Sequence, residues 1–438
     1  MSSGNTVLRL VALLLAGVLL PCCGGSLGEG DSVAEITVRA SLPPSGLEPN
    51  KLSLNPSVSD DGRFVVFESD ATNLTANDNN GVRDIFVRDR ATGKIENITN
   101  VPVTPPPFPN KILADCFNPV ISGDGHLIAF VTKANLVPSG TPPFSYSVNV
   151  ILGYDRSTGT FVKYFNEFSS PDRDLTDPSI SRDGRFISFT TAANVPGFPN
   201  AAHLSQVYVL ATGTGVVTLV SRASASATTI CNVGAGGARI SPDGGYVVFD
   251  SGASNFVGTV GGSSQVYMGT PTGAPVQLIS VNSSGNGSDI AAFGACVSEG
   301  GVYVAFNNYS SNFFPAGNNF TITRHHVAGM TNEIVTNGPA SLPLMLGSGF
   351  PVSLSADGRY VAFLKYDAAS QRQVYVRDLL GDESLMSRHF DGTDSNLSCS
   401  PPSMSGDGRT VAWHTVGSTL VEGDTNGVED VYYRTATR

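Results

Sequence analysis

A stretch of small, polar and apolar positions recurs along this chain at nearly constant spacing. It runs Pro56-Ser-Val-Ser-Asp-Asp-Gly-Arg-Phe-Val-Val-Phe67 and returns as Pro119-Val-Ile-Ser-Gly-Asp-Gly-His-Leu-Ile-Ala-Phe130 and Pro178-Ser-Ile-Ser-Arg-Asp-Gly-Arg-Phe-Ile-Ser-Phe189. Ala238-Arg-Ile-Ser-Pro-Asp-Gly-Gly-Tyr-Val-Val-Phe249 is a fourth copy, and Ala295-Cys-Val-Ser-Glu-Gly-Gly-Val-Tyr-Val-Ala-Phe306 is a decayed fifth. Two more end at Phe363 and Trp413, so the closing aromatics stand 63, 59, 60, 57, 57 and 50 residues apart. A period of this length marks a repeat architecture.

Each copy predicts the same elements. The residues up to Ser form a strand, and Asp-Gly makes a tight hairpin turn, since glycine accepts positive φ without a Cβ clash. The next strand is apolar at every position (Phe64-Val-Val-Phe67, Tyr360-Val-Ala-Phe363), which implies burial on both faces. A polar, variable loop leads to a third strand such as Asp84-Ile-Phe-Val-Arg88, Gln206-Val-Tyr-Val-Leu210 or Gln373-Val-Tyr-Val-Arg377. A Gly-containing turn then leads to a fourth, at residues 94–99, 216–221, 276–280 and 383–388. Four antiparallel strands per repeat is the pattern of a propeller blade. The expected fold is therefore all-β: a seven-bladed β-propeller over residues 35–438. The last copy stops after its third strand. The segment Glu35-Ile-Thr-Val-Arg-Ala-Ser41 resembles a fourth strand, so the N-terminal strand is expected to close the last blade and remove its open edges.

The repeat unit, Pro-Ser-x-Ser-x-Asp-Gly-Arg-x-Val-Ala-Phe followed by Asp-x-Tyr/Phe-Val-Arg-Asp, resembles the WD-repeat-like propeller repeats of the TolB-like family. The resemblance spans about residues 35–438. It implies an extracytoplasmic β-propeller that serves chiefly as a protein-interaction platform. TolB itself is expected to have six such repeats behind a small α/β domain, whereas seven are counted here behind a short linker.

The first residues read as a targeting segment. Arg9 precedes the apolar run from Leu10 to Leu20, and Pro21-Cys22-Cys23 follows. This resembles a bacterial lipoprotein signal with Cys22 or Cys23 lipidated, which gives a signal segment at 1–23 and a linker at 24–34. The protein is thus expected to be exported, held at the cell envelope or secreted, and attached to a membrane through an N-terminal lipid only. The remaining cysteines, Cys116, Cys231, Cys296 and Cys399, permit disulfides in an exported chain but have no metal-binding spacing. A formal net charge of −11, with 26 scattered basic residues, argues against nucleic acid as a partner.

No catalytic, cofactor-binding or metal residues are assigned from the sequence, and the protein is expected not to be an enzyme. His126, His203, His325, His326, His389 and His414 lie in different repeats without ligand spacing, and adjacent His325 and His326 point to opposite faces of a strand. Asp61, Asp124, Asp183, Asp243, Asp357 and Asp407 fit turn chemistry, one per blade. One constellation points to metal. Asp78-Asn-Asn-Gly-Val-Arg-Asp84 recurs as Asp424-Thr-Asn-Gly-Val-Glu-Asp430, with oxygen ligands placed as Ca²⁺ loops place them, although a further acidic ligand is missing.

Strand alternation places the Asp-Gly turns on one face and the long, varied loops on the other, at 71–83, 101–117, 138–147, 224–237 and 337–349. The second set, which includes Pro105-Pro-Pro-Phe-Pro109 and Thr141-Pro-Pro-Phe144, is the expected binding surface, together with the mouth of the axial channel. The expected function is a non-catalytic scaffold for an envelope or extracellular protein or a glycan. The alternatives are a polysaccharide lyase or hydrolase working in the axial channel, or a calcium-dependent surface-binding module.

Overall fold

The computed structural model describes residues 36–436 apart from 77, 101–111, 113, 134–148, 166–174, 224–227, 257–262, 315–320, 338–349 and 390–396. The signal segment and the linker lie outside the described residues. So do the prolines of 105–109 and 141–144 and most of the loops that contain them.

The strands form seven four-stranded antiparallel sheets, the blades of a seven-bladed propeller. From first to last, the inner strands are Ser53–Val58, Cys116–Ile121, Leu175–Ile180, Ala235–Ile240, Ala292–Val297, Ser353–Leu354 and Ser403–Met404. Six blades are built from consecutive strands. The seventh ends in the N-terminal strand Thr37–Arg39, which pairs antiparallel with Asp430–Thr435. The expected closure is therefore observed.

The all-apolar second strands follow from how blades stack. In blade 1, Phe64, Val66, Ile85 and Val87 pack against Ile121, Ile128 and Phe130 of blade 2. Their neighbours Val65, Phe67 and Phe86 turn the other way, against Ala412, Val431 and Tyr433 of blade 7. Both faces of the sheet lie inside a core, so a polar residue on either face would lose its water. The closing aromatics stack on the third-strand ring across the ladder, for example Phe67 on Phe86, Phe189 on Tyr208 and Trp413 on Tyr432.

The Asp-Gly turns carry a lock that recurs. Ser59 Oγ donates to Asp61, whose carboxylate also accepts the Arg63 amide, while Ser59 Oγ accepts the Phe64 amide. The same Ser–Asp bond recurs at Ser122–Asp124, Ser181–Asp183, Ser355–Asp357 and Ser405–Asp407. In the decayed copy, Glu299–Gly301 forms a 3₁₀ turn instead.

Outer strands are shorter than the sequence pattern predicts, for instance Ile95–Asn97 and Val217–Leu219. A side chain replaces the ladder beyond them. Thr99 Oγ1 donates to Asp84 at 2.6 Å and accepts the Ile85 amide at 3.0 Å. Ser221 with Gln206, Ser280 with Gln265 and Ser387 with Gln373 repeat the device. In the closing blade the partner comes from the other end of the chain: Ser41 Oγ donates to Asp430 at 2.6 Å and accepts the Val431 amide at 3.1 Å.

Candidate functional site: the axial pocket

The inner strands share a bulge where they approach the central axis. Pairing with the second strand slips by a residue in blades 1 to 5. The residue at the slip is left-handed in each: Asn55, Asn118, Asp177, Gly237 and Gly294, with φ between 49° and 65°. Asn and Asp tolerate this region better than other residues with a Cβ. Proline follows in the first three blades, at Pro56, Pro119 and Pro178, and its missing N–H is compatible with a bulge. The bulge turns its own amide sideways, towards a neighbouring blade.

Side chains from the preceding blade take up several of these amides. Glu68 accepts from Asn118 at 2.6 Å, His414 Nδ1 accepts from Asn55 at 3.2 Å, and Asp250 accepts from Gly294. Asp177 accepts from Gly237 at 3.3 Å. Glu68, Asp250 and His414 hold one register, the position after each blade's closing aromatic. Burial pushes the Glu68 carboxyl up, against the Asn118 amide and Arg83. Burial takes Asp250 up to about 6, against the Gly294 amide, with Asp177 adding to the rise and the Arg239 charge opposing it. Burial, helped by the charge of Arg372, takes His414 down to about 4. An acceptor Nδ1 requires the neutral ring with its proton on Nε2, which agrees with that direction.

One level deeper, a second ring is set by register. Ser57, Val120, Ser179, Arg239, Cys296, Ser353 and Ser403 lie opposite Val66, Ala129, Ser188, Val248, Ala305, Ala362 and Ala412 of their second strands. Ser57, Ser179 and Ser353 accept the inner-edge amides of Ile121, Ile240 and Met404 in the next blade, at 3.2–3.3 Å. Cys296 receives the Leu354 amide in the same way. Arg239 is the one charged member of the ring.

The far end of the pocket is narrowed by the hairpin turns. Main-chain bonds link neighbouring hairpin turns, among them Asp60 N to Gly123 O, Arg182 N to Pro242 O, Ala356 N to Gly406 O and Asp407 N to Asp60 O. Across this ring Arg182 reaches Asp60 in blade 1 and, at 3.0 Å, Glu299 in blade 5. A Cβ on Gly123 or Gly406 would fall 2.5 Å from the Asp60 carboxyl carbon, so the turns close this tightly only with glycine there. The result is an axial pocket of about 540 Å³, lined by hydroxyls, prolines, Asn55, Asn118, Asp177, Arg239 and His414.

The residues singled out in the sequence fall in several places. Asp424 and Asp430 converge with Glu48 to within 4.8 Å, the one such acidic, His or Cys group among the described residues. The Arg39 guanidinium sits against all three, at 2.9–3.2 Å. In blade 1, Asp84 is taken up by Asn80, Asn97 and Thr99. Both Asp/Asn loops therefore direct carboxylates at protein groups. Cys116, Cys231, Cys296 and Cys399 are free thiols. His325 is buried on Asn332 and His326 lies against Tyr303, on opposite faces as expected. The loop at 71–83 is partly built into the core through Ala71 and Leu74. Thr72 and Asn73 bond Asn50, an arrangement repeated by Ser254 and Asn255 on Asn232.

Arg239, Glu68, Asp250 and His414 were not identified as site residues from the sequence, although a signal was present. Arg239 stands where other copies of the repeat have Ser, Val or Cys, and the position after each closing aromatic varies from Glu to Leu to His.

Fold and site define an all-β propeller with an axial pocket. No protein-family model and no curated protein sequence matches the chain. Solved structures do match it. The oligogalacturonate lyase of Vibrio parahaemolyticus is 14% identical with a TM-score of 0.54, over 93% of this chain and 96% of that one. An oligogalacturonate lyase in complex with manganese is 12% identical with a TM-score of 0.53, over 92% and 96%. TolB from Acinetobacter baumannii is also among the matches, at 15% identity and a TM-score of 0.41 over 90% of this chain; the chain spans 65% of that TolB's length. At these identities the likeness to the lyases is one of fold.

Proposed function

We propose that the protein is a non-catalytic binding propeller that receives a small polar ligand in its axial pocket through the long-loop face. One observation carries the reading. The ionisable groups around the mouth are distributed one to a blade junction, and each holds a backbone amide: Glu68 on Asn118, Asp250 on Gly294, His414 on Asn55. A hydrolase or lyase needs such groups converging on one reacting atom. Here they stiffen a ring, and what remains for a ligand is hydroxyl, Arg239 and the part of Asp177 not taken by the Gly237 amide. Arg182, bridging Asp60 and Glu299, obstructs the other end, which favours the long-loop side as the way in.

The test is a thermal-shift panel of sugars, sugar acids, amino acids and dipeptides, run on the wild type and on Thr176→Trp. Thr176 is exposed at the pocket wall, so the indole obstructs the mouth without entering the core. At least one compound is expected to stabilise the wild type and not the variant. Equal shifts in both proteins, or turnover of a polysaccharide by the wild type, would overturn the proposal.

The same reading places the protein outside the cytoplasm, anchored by lipid at Cys22 or Cys23, and rests on the signal-like segment from Arg9 to Cys23. Metabolic labelling with a fatty acid is expected to mark the wild type. The label is expected to be lost when both cysteines are replaced by alanine; labelling that persists in that variant contradicts the anchor.

A further inference from the structure

We infer that Arg239 makes the axial pocket a site for a small hydroxylated carboxylate, with the guanidinium as its anchor. The inference rests on the pocket-binding reading above and adds the chemistry of the ligand.

The argument starts from the ring in which Arg239 stands. At this register the other blades carry Ser57, Val120, Ser179, Cys296, Ser353 and Ser403, all small and uncharged. Four of them have a structural task, accepting an amide from the next blade. Arg239 has no acceptor to offer. Its side chain lines the pocket, where its one hydrogen bond among the described residues is from Nη1 to the carbonyl of its own neighbour Ala238, at 2.9 Å. No carboxylate among the described residues lies within ion-pair distance of it, and its charge acts only at longer range, on Asp250. The contrast with Arg182, in the hairpin turn of the preceding blade, is direct: Arg182 lies between two carboxylates at the pocket floor.

A guanidinium presents a planar fork of donors that matches a carboxylate in bidentate fashion. One carbonyl bond leaves most of that fork unused. The rest of the wall selects for the rest of the ligand. Ser57, Ser179, Ser353 and Ser403 supply hydroxyls, and Asn55 and Asn118, on neighbouring blades, supply carboxamides bonded to each other at 3.3 Å. These groups suit a ligand rich in hydroxyls, and a pocket of about 540 Å³ is of ligand-binding size. Asp177 and Asp250 lie on the same side as Arg239. They set a limit on net negative charge, which favours one carboxylate over a phosphate or a dianion.

The experiment compares D-glucuronate with D-glucose, which differ at a single carbon, by isothermal titration calorimetry at low salt. The proteins are the wild type, Arg239→Gln and Arg239→Lys, with circular dichroism and melting curves recorded for each. Because Arg239 bonds only its neighbour's carbonyl, both variants are expected to fold as the wild type does. Glucuronate is expected to bind the wild type at least tenfold more tightly than glucose. That preference should vanish in Arg239→Gln, be partly kept in Arg239→Lys, and weaken with added sodium chloride. Equal binding of both sugars, unchanged in Arg239→Gln, would overturn the carboxylate assignment and leave pocket binding standing. Binding of neither sugar to the folded wild type would overturn the assignment. In that case the Thr176→Trp panel separately decides whether the pocket takes any ligand.

Discussion

Asp250 sits at the end of a second strand with its carboxyl against the Gly294 amide, and burial raises its pKa to about 6. A carboxyl raised in the folded state favours folding fully below its ordinary value near 3.8 and loses that contribution as pH rises through about 6. Asp250→Asn keeps an acceptor for the amide and removes the buried charge. The variant is expected to be more stable than the wild type by about 1–3 kcal/mol at pH 7.5, with the gap closing below pH 4, as urea midpoints at both pH values would show. His414 has the opposite dependence. Its pKa is lowered to about 4, so its contribution is full above about 6.5 and is lost as pH falls from there through 4. Its ring carbons are expected to show no NMR titration between pH 5.5 and 8; a transition in that range would contradict the bond to Asn55.

At the level of elements, the blade edge is held by a hydroxyl where the ladder gives out, and the chain uses this device to join its two ends. Ser41 serves Asp430 as Thr99 serves Asp84. Arg39 then sits among Glu48, Asp424 and Asp430, one guanidinium shared by three carboxyl groups. Arg39→Ala leaves three carboxylates facing one another, two of them buried, and is expected to cost about 3–5 kcal/mol in chemical unfolding. Because a guanidinium already holds that position, millimolar calcium is expected to leave the wild-type midpoint unchanged. The hairpin turns have a separate requirement. Gly125 has φ 73° and a Cβ there would meet the Phe64 ring at 2.7 Å, so Gly125→Ala is expected to destabilise by more than about 1 kcal/mol in chemical unfolding.

For the whole molecule, stability is divided among blade junctions, each a core made by two blades. Phe67 lies fully buried in the junction that closes the ring between blades 7 and 1. Phe67→Ala is expected to cost about 3–5 kcal/mol. If the ring behaves as one cooperative unit, a single transition should shift; two separated transitions would show that this junction opens first. The ion pairs at the pocket floor are part-exposed and act differently. Arg182→Ala is expected to change stability by no more than about 1 kcal/mol.

Much of this architecture could be read along the chain, because a blade is a local object. Its strands are consecutive, its turns are sealed by Ser and Asp two residues apart, and both faces of its middle strands are apolar since both are covered. Even the closure was legible, through the likeness of residues 35–41 to an outer strand. The pocket was not. Its members lie about 60 residues apart and meet only because seven inner strands surround one axis, so no local pattern groups Arg239 with Ser57 or His414 with Asn55. The calcium-like spacing at Asp424 and Asp430 shows the same limit, since the cation that answers those carboxylates is Arg39, nearly 400 residues earlier. Sequence by itself determined the repeat, the blade and the number of blades, which depend on short-range periodicity and burial. Only the tertiary structure decided which charges are paired across blades and which face the pocket, because that depends on distances between residues remote in the chain.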